Sequence, residues 1–145
     1  MSYATNGDLV ASRSDTVSST AETTVAGITS VDLYRHGIFV LDVTATTGTG
    51  TFTLDVAVQG YVADYAWTDV GRFAQVTATG QRILRGVGGT VGSGTTTVEE
   101  AAQSLDITVG QIRAGPIGTQ IRAMYTLVIT GTLTVTWRVR YGLHS

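Results

Sequence analysis

The sequence predicts an all-β protein: an antiparallel β-sandwich of the jelly-roll type, with one short helix in a long inserted loop. Thr, Val and Gly dominate the 145 residues, and the branched side chains of Thr and Val suit a pleated strand. Charged residues make up only 14% of the chain, against roughly 25% in ordinary domains. Residues 132–141 (TLTVTWRVRY) alternate polar with apolar side chains, which indicates a strand with one buried and one solvated face.

The first 22 residues predict an extended N-terminal arm. Residues 1–22 are polar and lack a sustained period, so little apolar surface is available to order them. Ordering them costs about 1–2 kcal/mol per residue in backbone entropy, and we expect contacts with neighbouring chains to offset that cost. The alternative is a strand added to the chain's own sheet. Residues 23–145 are expected to form a single sandwich domain.

The strands of the domain follow in order along the chain. Residues 37–44 (GIFVLDVT) are strongly apolar, and residues 51–59 (TFTLDVAVQ) alternate. The glycine-bearing stretch at 47–50 (TGTG) predicts a turn that joins them into a hairpin. Residues 66–77, with spaced apolar anchors, and residues 81–84 are expected to add further strands.

A second hairpin is predicted at the end of the chain, where residues 120–130 and 132–141 flank Gly131. Side chains from both hairpins and from the strand between them are expected to be buried between two layers. The expected core comprises Val40, Phe52, Leu54, Val56, Phe73, Val135, Trp137 and Val139.

The inserted segment, residues 85–118, begins with a glycine-rich stretch. Residues 97–100 (TVEE) then match a capping box before AAQSL, which predicts the one short helix. A long loop in a compact domain is usually functional or a contact element. We expect this one to pack on a second copy or another partner through Val91, Val98 and Leu105. The alternative is that it caps one end of the sandwich.

No residue pattern indicates catalysis, so we expect no enzyme, no catalytic or metal-binding residues and no cofactor. The only two histidines, His36 and His144, lack a ligand partner at metal-site spacing. There is no Cys for a thiolate site. The serines have no plausible His and acid partners, and the glycine string after residue 85 lacks the lysine of a phosphate-binding loop.

Charge and hydropathy restrict the partners. The net charge is −2 without a basic run, so no nucleic-acid binding is expected. No stretch reaches the length of a membrane span, and the first residues do not resemble a signal peptide. Residues 1–70 carry a net charge of −6 and residues 71–145 one of +4. Either the two parts neutralise each other within one domain, or copies contact each other head to tail.

The strand residues of this chain resemble a family of small virion proteins of tailed bacteriophages. The similarity covers residues 38–84 and 118–140, through VLDVTATTGTGTFTLDVAVQ, WTDVGRFAQVTATGQRIL and GTQIRAMYTLVITGTLTVTWRV. It implies a β-sandwich decoration (cement) protein of the capsid, which stabilises the head as a homo-oligomer, with a trimer favoured. Its partners would be the major capsid protein or other virion proteins, and its location the virion, assembled in the host cytoplasm. A tail or head–tail connector component is an alternative. The chain departs from the family pattern at residues 85–118.

The order of WTDV at 67–70 and IRA at 121–123 is also similar to discoidin-like carbohydrate-binding modules. This second resemblance implies a module for host attachment whose loop aromatics and an Arg contact the sugar. The candidates here are Tyr61, Tyr65 and Trp67. For Trp67 the sequence favours a place in the core instead, because a large aromatic side chain gains most from burial.

Overall fold

A computed structural model describes residues 4–29, 31, 34–62, 66–87, 112 and 117–145. Its six strands are β1 (Ala4–Asp15), β2 (Ser19–Thr29), β3 (His36–Val62), β4 (Ala66–Arg72), β5 (Gly80–Val87) and β6 (Gln120–His144). All of their pairings are antiparallel and belong to one sheet. The all-β antiparallel prediction is therefore confirmed. The predicted helix and the contact residues Val91, Val98 and Leu105 lie outside the described residues.

Two long strands, β3 of 27 residues and β6 of 25, organise the sheet. They pair along their whole lengths, from His36 opposite His144 to Tyr61 opposite Gln120. The two predicted hairpins are therefore wrong in their pairing, because the chain continues through residues 47–50 and through Gly131 without a hairpin turn. An alternating pattern indicates which side chains share a face, but it does not identify the neighbouring strand.

The sheet folds back on itself at the middle of the two long strands. The rings of Tyr125 and Trp137 lie 5.2 Å apart, although the strand between them would span about 40 Å if it were straight. Strand β6 therefore bends back on itself around Gly131, midway between the two residues, while it stays paired with β3. This corner divides the sheet into two halves with their buried faces together, an arrangement like a sandwich whose layers share strands.

We name the halves by their outer strands. The β1/β5 half contains β1, β5, residues 132–144 of β6 and residues 36–49 of β3. The β2/β4 half contains β2, β4 and the remaining parts of the two long strands.

Glycines at the corner have backbone conformations that other residues rarely adopt. Gly48, Gly50 and Gly131 have φ angles of 100°, 139° and 96°. A Cβ atom on Gly50 would lie 1.9 Å from the carbonyl oxygen of Thr130, and one on Gly131 would lie 2.6 Å from that of Thr49. The two strands can approach this closely at the bend because these positions lack side chains.

A β-bulge decides which side chains of β3 face the core. The register shifts between Val43 and Ala45, so Thr44 is an extra residue opposite β6. Because of the extra residue, the side chains that would face the core without it face outward beyond this point, and the reverse. Buried side chains are accordingly odd-numbered before the bulge, as in Phe39, and even-numbered after it, as in Leu54.

The predicted core is confirmed except at one position. Val40 is half-buried on the outer face, so its prediction as a core residue is wrong. It lies in an apolar run that offers no alternation to choose between the two faces. Its neighbours Phe39 and Leu41 take the core positions instead. The other predicted residues are buried: Phe52, Leu54, Val56, Phe73, Val135, Trp137 and Val139.

The N-terminal segment is part of the sheet of its own chain. Residues 4–15 form β1 and pair with the C-terminal part of β6, which corrects the expectation of an arm lying on other chains. The alternative, a strand added to the chain's own sheet, is what the structure contains. Leu9 and Val10 supply the buried apolar surface that the polar composition of the segment obscures.

Polar contacts also attach β1 to the core. The Oδ2 atom of Asp15 accepts a hydrogen bond of 2.8 Å from the indole nitrogen of Trp137, and both oxygens of Asp15 accept hydrogen bonds from Arg13. The hydrogen bond to Asp15 raises the pKa of Arg13 above its ordinary value. The same guanidinium lies 4.9 Å from the ring centroid of Tyr125, so β1 contacts side chains from both halves of the sheet.

We expect Leu9→Ala to lower the free energy of unfolding by about 2 kcal/mol or more, because it removes a buried side chain. Val17→Ala is the matched control, since Val17 is 75% exposed in the connection to β2. Urea denaturation followed by circular dichroism measures both. Equal stabilities of the two variants would contradict the assignment of β1 to the domain.

Candidate functional site

Three polar residues lie side by side on the outer face of the β2/β4 half. Val56 and Val58 of β3 face the core, so Gln59 faces outward. Gln59 is opposite Asp69 of β4 and also opposite Arg122 of β6. Residues directly opposite each other on paired strands project from the same face, so the pairing register alone brings an acid, an amide and a base together.

These residues form one chain of hydrogen bonds. Gln59 donates from Nε2 to Oδ1 of Asp69 at 2.9 Å and accepts at Oε1 from Nε of Arg122, also at 2.9 Å. Arg72 donates from Nη2 to Oδ2 of Asp69 at 3.0 Å and to Oε1 of Glu22 at 2.9 Å. The carboxylate of Asp69 therefore fixes the Gln59 amide so that its oxygen faces Arg122.

In the buried part of this hydrogen-bond network, the positive charge of Arg72 is paired with negative charges. The Asp69 side chain is 0% exposed, and Arg72 is mostly buried. Burial alone lowers the pKa of Arg72, but hydrogen bonds to Glu22 and Asp69 outweigh it, so the pKa lies above its ordinary value. A buried charge requires such partners because its transfer from water is costly.

Arg122 differs from Arg72 in that its pKa lies below the ordinary value. Its guanidinium carbon lies 4.2 Å from the ring centroid of Trp67, a cation–π contact. Trp67 in turn lies beside Tyr61, with 5.5 Å between the ring centroids. Burial lowers the pKa of Arg122, and the charge of Glu22 does not fully offset this.

We call this constellation the Arg122 cluster: Arg122, Trp67, Tyr61, Gln59, Asp69, Arg72 and Glu22. Of the sequence-predicted aromatics, the structure brings Tyr61 and Trp67 together here. The expectation that Trp67 anchors the core is wrong, because it is half-buried on the outer face against Arg122. Tyr65 lies outside the described residues.

Sequence reasoning missed the polar members of the cluster. Gln59 is a single polar side chain at the end of an apolar stretch, and Asp69 follows Thr68 between the apolar residues Trp67 and Val70. Such an interruption marks an unusual environment, but it does not identify the partner. Arg122 looked like one of several alternating polar residues, and only the pairing register distinguishes it from the others.

The two histidines lie at the ends of the long strands. His36 is opposite His144, with ring centroids 5.0 Å apart. Within the described ranges, no group of three or more side chains is arranged to hold a metal ion.

The uneven distribution of charge along the sequence is partly neutralised within the domain. Arg138 contacts Asp42 at 3.3 Å, and Arg72 contacts Glu22 at 2.9 Å. Both ion pairs join a base from the positive part of the chain to an acid from the negative part. These contacts favour the interpretation that the two parts neutralise each other.

Comparison of the chain with models of known protein families, with curated proteins and with solved structures found no match. In the part of the chain that the structure describes, no helix is long and apolar enough to span a bilayer.

Proposed function

We propose that this chain is a non-enzymatic structural protein of a tailed-phage virion, a decoration protein that binds the major capsid protein as a homo-oligomer. A trimer is the favoured state. The proposal rests on the strand resemblance together with one structural observation, the open edge of β2. A tail or connector position in the same virion would use the same edge.

Strand β2 (Ser19–Thr29) has a backbone edge that is suited to pairing with another chain. Among the described residues, β2 forms a ladder with β6 alone, so its second side has no strand neighbour. Its one charged residue, Glu22, is bound by Arg72. Monomeric proteins protect such edges with lysine, proline, charged side chains or β-bulges. The register of β2 against β6 shifts between Ser19 and Thr23 and again between Val25 and Ile28, so the regular stretch of the edge lies between these two shifts. The whole chain has no lysine, and β2 has no proline.

An edge without lysine or proline, with a regular stretch between its two register shifts, supports a role in assembly. A strand from a second copy can add to it through main-chain hydrogen bonds, which is a common mode of association. On a capsid, many such contacts act together, and avidity then holds individually modest contacts firmly. The mechanism is passive, because the chain contributes a rigid sheet and an edge for pairing.

The test compares two alanine-to-lysine variants by analytical ultracentrifugation. Ala21→Lys places a charge on the exposed part of β2, whereas Ala74→Lys places one at an exposed position outside the strands. We expect the parent protein and Ala74→Lys to form oligomers, and Ala21→Lys to dissociate at concentrations where they do not. A parent protein that is monomeric at all concentrations and does not bind capsids would contradict the proposal.

The position of the chain in an electron-microscopy map of intact particles tests the capsid assignment. Density over the junctions between capsomers is the expected result. Density on the tail would favour the connector or tail alternative.

Carbohydrate binding is a second candidate function, and one specific observation favours it. Tyr61, Trp67 and Arg122 lie together on an outer face rather than in the core. Binding of the monomeric chain to glycans, together with an absence of binding to capsids, would favour this candidate over the first.

A further inference from the structure

The Arg122 guanidinium is held in place from two directions. The Trp67 ring lies against its face, and Gln59 accepts the hydrogen bond from Nε. Gln59 cannot easily rotate away, because its own Nε2 donates to the buried carboxylate of Asp69. A guanidinium fixed at its face and at Nε has one remaining edge, formed by Nη1 and Nη2.

That remaining edge has no acceptor among the described residues. Across the described part of the chain, Arg122 forms one hydrogen bond, through Nε, and the nearby Glu22 carboxylate is hydrogen-bonded to Arg72 instead. Arg13 and Arg72, by contrast, donate from Nη2 to carboxylates. Arg122 is only half-buried, so this edge is open to a ligand from solution.

We propose that Arg122 binds a carboxylate group through Nη1 and Nη2, and that the carboxylate belongs to an acidic saccharide. Two parallel N–H donors match the two oxygens of a carboxylate, which is the usual mode of bidentate recognition by arginine. The arrangement is preorganised, so little side-chain entropy is lost on binding.

The adjoining aromatic rings favour a sugar over an acidic peptide as the carrier. Tyr61 lies next to Trp67, and Trp67 in turn contacts the Arg122 guanidinium. A pyranose ring has faces of C–H groups with a slight positive charge, and aromatic faces are negative. A uronic acid therefore offers both a carboxylate for Arg122 and an apolar face for Tyr61. This inference rests on carbohydrate binding, the second candidate function, and it is independent of the first candidate, which depends on pairing at the β2 edge.

In the test, the full chain is titrated with trigalacturonate, with neutral galactotriose and with triglutamate. Binding is measured from the indole N–H signals in NMR spectra. The chain has two tryptophans, and Trp137, at 0% exposure, is an internal reference. We expect trigalacturonate to shift the Trp67 signal but not the Trp137 signal, with weaker binding at higher salt because the contact is ionic. Galactotriose is expected to bind much more weakly.

Variants identify the residue responsible. Arg122→Gln should weaken trigalacturonate binding about ten- to a hundredfold, the loss expected for charge-assisted hydrogen bonds. Arg140→Gln is the matched control, because Arg140 is an exposed arginine on the same strand in the β1/β5 half. Arg122→Lys retains the charge but loses the paired donors and should bind at an intermediate level. Circular dichroism melting curves verify that each variant is folded.

Three outcomes would overturn the inference. The first is equal binding of the acidic and the neutral saccharide, and the second is unchanged binding by Arg122→Gln. The third is binding of triglutamate alone, which would assign the carboxylate to a protein partner. None of these outcomes alters the oligomer measurement, so the two proposals can fail separately.

Discussion

We expect Trp137→Ala to lower the free energy of unfolding by about 3–5 kcal/mol, the usual cost of removing a large buried aromatic side chain. Trp137 is 0% exposed and packs against Tyr125 from the opposite half of the sheet. It also donates a hydrogen bond to Asp15, so its removal leaves a partly buried carboxylate with one donor fewer. The loss therefore affects both halves and the attachment of β1.

Urea denaturation followed by far-ultraviolet circular dichroism measures this effect without depending on tryptophan fluorescence. Trp67→Ala is the matched control, because Trp67 is half-buried on the outer face and leaves no cavity in the core. A smaller loss in Trp137→Ala than in Trp67→Ala would contradict the assignment of the two tryptophans.

The second large effect is expected at the corner. Gly50→Ala should cost about 2–5 kcal/mol, from the backbone strain of a positive φ angle combined with a steric clash. The new Cβ would lie 1.9 Å from the carbonyl oxygen of Thr130, so the paired strands must separate at the bend. Because the backbone fixes the position of the Cβ atom and the atom it meets is a backbone oxygen, a side-chain rotation does not relieve the clash.

Gly142→Ala is the control for this substitution. It lies in β6, has no positive φ angle, and a Cβ there would meet nothing within 4 Å. Thermal unfolding of the two variants should separate them clearly. If Gly50→Ala unfolds at the same temperature as Gly142→Ala, the corner does not depend on glycine as described.

Much of the fold was predictable because burial follows an alternating pattern. The period of two in residues 132–141 placed Val135, Trp137 and Val139 in the core. The prediction was wrong at Val40, where an apolar run offers both faces equally and the bulge at Thr44 determines the outcome. A bulge depends on how the strands pair, which a single strand's pattern does not reveal.

Strand pairing and the candidate site were less predictable for the same reason. Gly/Thr stretches suggested hairpin turns, but the residues on either side of each stretch pair with a distant strand instead. The Arg122 cluster depends on that distant pairing, because Gln59 and Arg122 become neighbours only once β3 lies beside β6. The resemblance to carbohydrate-binding modules therefore indicated the aromatics, but it did not single out the arginine that contacts them.

The pairing of β3 with β6 also determines how the chain can fold. Tyr61 pairs with Gln120 and His36 with His144, so even the nearest β3–β6 pair closes a loop of roughly 60 residues before the ladder between these two strands can grow. Contacts of such long range place the chain among the slow all-β folders, on a scale of milliseconds to seconds. Closure entropy rises only by about 0.6 kcal/mol for each doubling of loop length. Changes of length in the part of the intervening segment that lies outside β4 and β5 should therefore add little to the entropic cost of closing the β3–β6 ladder.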